Sequence, residues 1–409
     1  MNKIEELIEQ LCPEGVELIK LSTLGVFENI GVDKKIIEGQ KKVMLLNFMD
    51  IMRNKHITKQ VLTMEVSASD SKIDKCDIKK HDIFITPTSE TRDEIGFAAV
   101  VDEDIPNAVY SYHIMRYRLN ENNDVTPYFI SYLFETENLR SQIFKASKGL
   151  TRYGLSGKDF GKLSIPLPPL PIQQEIVSIL DKFTELQAEL QAELQARARQ
   201  YEYYRNELLN FEGKEVEFFE LQDVANYSKS RIPATVVDNT NYVGVDNLLQ
   251  NKQGKTNSSY VPTLGNMTGY EIGDILIGNI RPYLKKIWWA TNNGGTNGDV
   301  LVIRIHKENK NALSSRFLYY LLASDMFFDY NMQFAKGAKM PRGDKSAILR
   351  FKIAIPPLAE QERIVTILDK FDALVNDLSI GLPAEIKARR KQYEYYRGKL
   401  LDFKSISNG

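Results

Sequence analysis

At 409 residues, with 43% hydrophobic and 26% charged side chains, the chain has the composition of an ordinary globular protein and a length for roughly two to four domains, which excludes a small cross-linked scaffold, a fibrous repeat and global disorder. Lys and Arg number 53 against 54 Asp and Glu, so a formal charge of −1 leaves no overall basic field, and any polyanion site must be a local patch or be shared with a partner. Cys12 and Cys76 lie far apart in no CxxC or CxxH spacing. That argues against a disulfide framework or a zinc site and for a reducing cytoplasm. No apolar run approaches the ~18–20 residues of a membrane span, and acidic Glu5 and Glu6 stand where a secretory signal would be basic and then apolar.

In chain order, short β-branched and aromatic runs near residues 82–87, 95–101 and 113–119 predict strands. Aromatic and aliphatic residues at helical spacing from Pro127 to Ala146 predict a helix. A basic, glycine-bearing loop follows, Lys148-Gly149-Leu150-Thr151-Arg152-Tyr153. It leads to a proline-rich stretch, Ile165 to Pro171, that suits the approach to a helix and not its interior. From about Gln173 to Phe211 there is neither Pro nor Gly. This predicts one helix of nearly forty residues, ~60 Å long. Leu180, Leu194, Tyr201 and Leu208, with Phe183, Leu190, Tyr204 and Phe211 at the second seam position, trace heptads interrupted by Gln187 and Arg197.

The second half repeats the first. Strands are predicted near residues 274–280, 285–291 and 298–304, a helix from Ser315 to Ala335, a basic loop Lys336-Gly337-Ala338-Lys339-Met340-Pro341-Arg342, and a proline approach from Ile353 to Pro357. Gln361 to Phe371 matches Gln173 to Phe183 at eight of eleven positions with an offset of 188. Gln200-Tyr201-Glu202-Tyr203-Tyr204-Arg205 recurs letter for letter as Gln392-Tyr393-Glu394-Tyr395-Tyr396-Arg397, offset by 192. The second seam runs through Leu368, Phe371, Val375 and Leu378, then Ile386, Tyr393, Tyr396, Leu400 and Phe403, and Gly381-Leu382-Pro383 predicts a kink or a restart at Pro383. Asp82-Ile83-Phe84-Ile85 corresponds to Asp274-Ile275-Leu276-Ile277. Two helices with one apolar stripe each and no core of their own are most simply buried against each other. The expected fold class is α+β, with two mixed α/β globules at 1–165 and 213–352 and helical segments at 166–212 and 353–409.

Catalytic chemistry is sought and not found. His56, His81, His113 and His306 are scattered, none within three to five residues of another or of a cysteine. Gly337 to Ser346 misses a phosphate-binding loop by one extra residue before the second glycine and by Asp344 before Lys345. No dinucleotide glycine fingerprint follows a strand. Pro168-Pro169 and Pro356-Pro357 lack the neighbours with which an amino-methyltransferase grips a flipped base.

Two divergent globules, each followed by an I-[PA]-[LI]-P-P-L approach, a Q-[QE]-x-I-V-x-I-L-D-K-F helix start and a QYEYYR segment, resemble the specificity subunit of type I DNA restriction–modification systems. The resemblance covers nearly the whole chain. It implies that the globules are target recognition domains reading double-stranded DNA, and that the long helices form an antiparallel coiled-coil spacer with pseudo-twofold symmetry. It further implies that the chain binds no cofactor and is non-catalytic. Two modification subunits holding S-adenosylmethionine, and restriction subunits using ATP and Mg, are the expected partners, and no membrane is expected. The alternatives left open are a stand-alone DNA-binding or scaffold protein, and a chain that is itself a methyltransferase. The Tyr201, Tyr203 and Tyr204 cluster would ordinarily be core and rim packing. Unlike globules beside like helices favour the reading of two different DNA words.

Base readout needs bidentate donors, Arg to guanine and Asn or Gln to adenine, and phosphate grip needs Lys, Arg, Ser and Thr. In the first domain the candidates are Arg53, Asn54 and Lys55, the polar run Thr86 to Arg92 including Thr88, then Tyr110, Tyr112 and His113, and Lys148, Thr151, Arg152 and Tyr153. In the second they are Asn247, Asn279, Arg281, Tyr283, Lys285 and Lys286, with Lys336, Lys339 and Arg342. The tandem units Glu185-Leu186-Gln187-Ala188, Glu189-Leu190-Gln191-Ala192 and Glu193-Leu194-Gln195-Ala196 mark a helix whose length can change by whole units.

Overall fold

A computed structural model describes residues 2–121, 124–377 and 380–406. Leu378 of the expected second seam lies outside the described residues. The chain divides into two compact units, residues 1–188 with 388–409, and residues 189–387.

In the first unit a five-stranded sheet runs in the order Gly25–Glu28, Met115–Leu119, Ile83–Ile85, Ala98–Val101, His56–Ile57. Its three middle strands are the ones predicted. Alternation sorts their side chains: Ile83, Ile85, Val100 and Tyr117 enter one core, and Phe84, Ala99 and Val101 enter another. The second core is closed by a three-stranded sheet of Met64–Ala68, Lys41–Leu46 and Ala108–Tyr110. In the second unit the strand order is Ala225–Tyr227, Val300–Ile305, Ile275–Gly278, Ile287–Trp289. Ile275, Ile277 and Ile303 face one core, and Leu276, Trp288 and Val302 the other. In both units one carboxylate fixes the start of the central strand. Asp82 accepts two hydrogen bonds from Arg118 (2.6 and 2.7 Å) and one from the Lys79 N–H. Asp274 does the same with Arg304 and the Glu271 N–H.

The single helices predicted over 127–146 and 315–335 are each two: Pro127–Leu133 and Glu137–Ala146, then Ser315–Leu322 and Asp325–Gln333. The breaks follow from capping. Thr136 accepts from the Leu139 N–H (3.4 Å) and Ser324 from the Phe327 N–H (3.2 Å), each starting a new helix inside the apolar pattern.

The first long helix is continuous from Leu170 to Leu209, 40 residues. Its counterpart is interrupted, as Gly381-Leu382-Pro383 predicts, into Leu358–Asn376 and Leu382–Leu400. A side chain at Gly381 would stand 2.4 Å from the Ala373 carbonyl oxygen, which reserves this junction for glycine. Each unit contains a section of both helices. In the first, Phe183 stacks on Tyr396 with ring centres 5.7 Å apart. In the second, Phe371 stacks on Tyr201 and Tyr204 at 6.0 and 5.5 Å. The two repeated motifs are therefore complementary halves of one contact, worth about 0.5–1.5 kcal/mol per ring pair beyond area burial. The fold is α+β, two mixed domains with coiled-coil helices.

Polar groups tie helix to domain in the same pattern in both units. Buried Gln173 accepts from the Thr126 N–H and donates to the Asp124 and Pro168 carbonyls at 2.8–2.9 Å. Gln361 repeats this with Ser314, Ala312 and Pro356. Tyr132 donates to Asp181, and Tyr320 to Asp369, both at 2.5 Å. The arginine closing each QYEYYR segment meets a domain carboxylate shared with a lysine: Arg397 and Lys55 on Glu135, Arg205 and Lys252 on Asp325.

One junction differs. Asp369 is paired with Arg316 (2.7 Å), whereas Asp181 faces His56, whose Nε2 is 3.6 Å away and whose Nδ1 is 3.1 Å from Asp102. Tyr128 stacks on the imidazole and donates to Asp102, Tyr132 donates to Asp181, and Lys55 is the nearby cation. The Asp181 carboxylate, then Asp102, hold the His56 pKa above its ordinary 6.5 despite burial. A raised folded-state pKa contributes stability that is full below 6.5 and lost as pH rises through the raised value. The thermal unfolding midpoint should therefore fall as pH rises from below 6.5 through the raised value, and His56→Gln should lower the midpoint on the acid side and flatten that slope. Equal slopes for both proteins by calorimetry would refute the assignment.

Candidate nucleic-acid interface

Both basic loops are closed hairpins. Lys148 and Gly154 exchange backbone hydrogen bonds at 3.1 and 2.9 Å, and Lys336 and Arg342 do so at 2.9 Å. The glycine after each leading lysine takes positive φ, 137° at Gly149 and 109° at Gly337. At Gly149 a side chain would come within 1.9 Å of the Arg152 carbonyl oxygen, so this turn requires glycine. Each hairpin docks just beyond the central strand of its domain: Tyr153–Gly154 pairs with Thr88–Ser89, and Arg342 bridges Ile280.

Around the first hairpin the structure gathers Thr88, Tyr112, His113 and Arg152. Arg152 is exposed, with Nη2 3.4 Å from the Thr88 hydroxyl. Tyr112 is exposed with its ring 4.0 Å from that of His113. Burial, then the cations Arg152 and Lys34, push the His113 pKa down, which keeps its imidazole neutral near pH 7. Lys34 is a residue that sequence reasoning missed. Its loop arrives because Val32 bridges Ser111, and Gly31 lies so close to the Tyr112 backbone that a side chain there would be 2.1 Å from it. The signal was the adjacent Lys34-Lys35 pair, which only this bridging makes meaningful. Lys148 and Thr151 are exposed on the hairpin, Tyr153 is half-buried at its base, and Arg92 lies between the Tyr153 and Phe144 rings at 4.6 and 4.7 Å. Arg92 thus supports the hairpin.

Four first-domain candidates lie elsewhere. Arg53 is exposed at the end of the helix Phe48–Arg53, and Asn54 caps that helix through the Asp50 carbonyl (2.8 Å). Both line a cleft of 590 Å³ that includes no hairpin residue. Lys55 is not a free cation: its ammonium is 2.5 Å from Glu135 and 2.8 Å from the Ser131 carbonyl, and burial pushes its pKa down. Tyr110 is buried in the core.

In the second unit the hairpin carries exposed Lys336, Lys339 and Arg342, with Lys336 2.7 Å from Asp344 and Arg342 3.2 Å from Asp299. Exposed Arg281 and Tyr283 lie beside it, since the Arg281 N–H donates to the Pro341 carbonyl at 2.7 Å. Arg281 and Lys285 both hold left-handed backbone, φ 52° and 49°. Such non-glycine strain, of order 1–3 kcal/mol, is tolerated where geometry matters to function. Asn279 is buried beneath the hairpin, its N–H donating to the Asp299 carbonyl and its carbonyl accepting from Gly343. It positions the loop and does not reach solvent. Lys285 turns to Asp325 (2.7 Å), Lys286 to the Val245 carbonyl (2.6 Å), and buried Asn247 clamps a turn through Gly244, Tyr242 and Thr256. Each unit therefore presents a rigid basic hairpin with exposed Arg and Lys donors and an exposed tyrosine, the residue types for phosphate grip and base-edge readout. Among the described residues no group of three or more His, Cys, Asp or Glu is placed to hold a metal ion.

The family model of the type I restriction modification DNA specificity domain matches residues 47–199 and 213–388. The specificity subunit of the type I restriction enzyme EcoR124I/EcoR124II of Escherichia coli is 32% identical over 288 residues, 63% of this chain and 68% of that protein. The crystal structure of a type I restriction–modification S subunit from M. genitalium superposes with a TM-score of 0.55 at 12% identity, covering 95% of this chain and 96% of that one. A structure from work on complex assembly and conformational transition of the type I restriction–modification system gives 0.60 at 15% identity, covering 96% and 98%. At those identities the structural likeness is one of fold. With both halves of its length matched by the DNA specificity domain, the chain belongs to the family of type I restriction–modification specificity subunits.

Proposed function

We propose that the two units read the two halves of a bipartite, asymmetric DNA site, with recognition domains at 1–165 and 213–352 and spacer helices at 166–212 and 353–409. As a family member the chain is the DNA sequence-recognition subunit of a restriction–modification complex and is non-catalytic. The observation that carries the bipartite reading is that one rigid basic hairpin recurs at the same place in two domains whose second sheets differ, three strands against four, while the helix motifs that hold those domains stay alike. In this reading two modification subunits dock at the equivalent surfaces around Gln173 and Gln361 and supply S-adenosylmethionine. Restriction subunits bring ATP and Mg, and this chain holds no cofactor. The complex works in the cytoplasm; no described helix is long and apolar enough to cross a membrane.

Exchanging residues 15–160 for another such domain should change one half of the methylated site and leave the other intact, as read by methylome sequencing; change in both halves or in neither contradicts the assignment. Arg152→Ala and Lys339→Ala should each weaken DNA binding by about 1–3 kcal/mol without disturbing assembly. Lys55→Ala, by contrast, should act through stability. Unchanged binding in both hairpin variants would make the hairpins merely solvated. One more Glu-Leu-Gln-Ala unit beside Glu193 lengthens the continuous helix by ~6 Å and turns it ~40° beyond a full turn. A DNA base pair turns about 35°. The unspecified spacer should therefore grow by one base pair with both half-sites unaltered, and an unchanged spacer at full activity would show that the helix is not the ruler.

A further inference from the structure

We propose that the hairpin tips are wedges: Leu150 in the first unit and Met340 in the second insert between stacked base pairs and kink the DNA. The proposal rests on the DNA-reading role above and adds how the site is deformed. Leu150 is 93% exposed and Met340 47% exposed. Scattered surface leucines need no explanation, but this one stands at the tip of a loop that is rigid at its base and basic on both sides. Lys148 and Arg152 flank it, and both are exposed.

Rigidity matters because unstacking a base step is energetically unfavourable, and a floppy loop would avoid it by bending away. The first hairpin is held by its paired backbone hydrogen bonds, by the ladder to Thr88–Ser89, by the required glycine at 149, and by Arg92 between Tyr153 and Phe144. The second is held by its own backbone pair, by the bridge from Arg342 to Ile280 and by the Arg281 N–H on Pro341. Met340 lies between Lys339 and Arg342 and is followed by Pro341. Leu, Met and Pro are among the side chains that part base steps from the minor groove, bending the duplex by roughly 20–90° while cations hold the flanking phosphates.

The apolar residue sits three places after the leading glycine in the second hairpin and one place after it in the first. The unstacked step therefore lies at a different position in each half-site. Flexible pyrimidine–purine steps are favoured there, which gives sequence preference without a base contact.

The test uses the full chain assembled with its modification subunits and a duplex carrying its methylated site. A fluorescent adenine analogue, quenched by stacking, is placed at each step in turn, avoiding the base that the methyltransferase itself extracts. Binding should raise emission at one step in each half-site. Leu150→Ala should abolish the rise in the first half-site only and weaken specific binding about tenfold. Met340→Ala should do the same in the second only, and Leu150→Met should retain the rise. No rise at any step with the unaltered protein, or a rise that survives Leu150→Ala, overturns the wedge; weakened binding by Arg152→Ala would then leave the DNA-reading role standing. Failure of the unaltered complex to bind the duplex overturns both.

Discussion

The structure depends on the inability of a long helix with one apolar stripe to bury that stripe alone. Phe183 stacks on Tyr396, and Phe371 on Tyr201 and Tyr204, so each phenylalanine meets the QYEYYR copy carried by the other helix. Because the two motifs are halves of one contact, both must be kept in both copies. The same logic makes each unit a composite, with residues 388–409 belonging with residues 1–188. Within that first unit the chain's last described stretch closes on its beginning, where the Val16 N–H donates to Lys404 and its carbonyl accepts from Ile406.

Polar burial then fixes how each domain meets its helices. Gln173 and Gln361 satisfy three backbone groups apiece in places closed to water, and leaving such groups unpaired costs about 1–3 kcal/mol each. The Glu135 and Asp325 carboxylates are more consequential. Burial alone would raise their pKa values, yet Lys55, with Tyr393 and Arg397, holds Glu135 down, and Lys285 and Lys252 hold Asp325 at about 2. A paired buried charge is tolerated, and an orphaned one is not. Constraint at the helix-facing side leaves the rest of each domain free to vary: the first unit closes its second core with three strands, where the second unit has a four-stranded sheet of Arg231–Pro233, Asn266–Tyr270, Gly294–Thr296 and Tyr242–Val243.

A local field on a chain of net charge −1 follows from that division. Arg205, Arg397, Lys55, Lys252 and Lys285 are consumed by internal carboxylates. Lys34, Lys148, Arg152, Arg281 and Lys339 are placed on loops around the hairpins. Exposed cations attract phosphates with a strength that falls as salt rises. Buried ones hold the fold regardless.

The sequence by itself determined the duplication, the helix spanning most of 173–211, the break near Pro383, the middle strands of both main sheets and the location of the two basic hairpins. These are local matters: absence of Pro and Gly, period, turn residues and internal likeness. Only tertiary structure decided which cations are available. Arg152 and Lys55 are alike as letters, but Glu135, eighty positions from Lys55, draws the latter inside. It also decided that Asn279 and Asn247 are scaffolding, and that Lys34 joins His113 and Arg152 through a bridge across 79 positions between Val32 and Ser111. The division of the 127–146 and 315–335 helices stood in between: Thr136 and Ser324 are capping residues in the sequence, but an apolar pattern that continues across them hides the stop until the packed helices show it. Long-range partners set burial, and burial sets whether a charged side chain is structure or site.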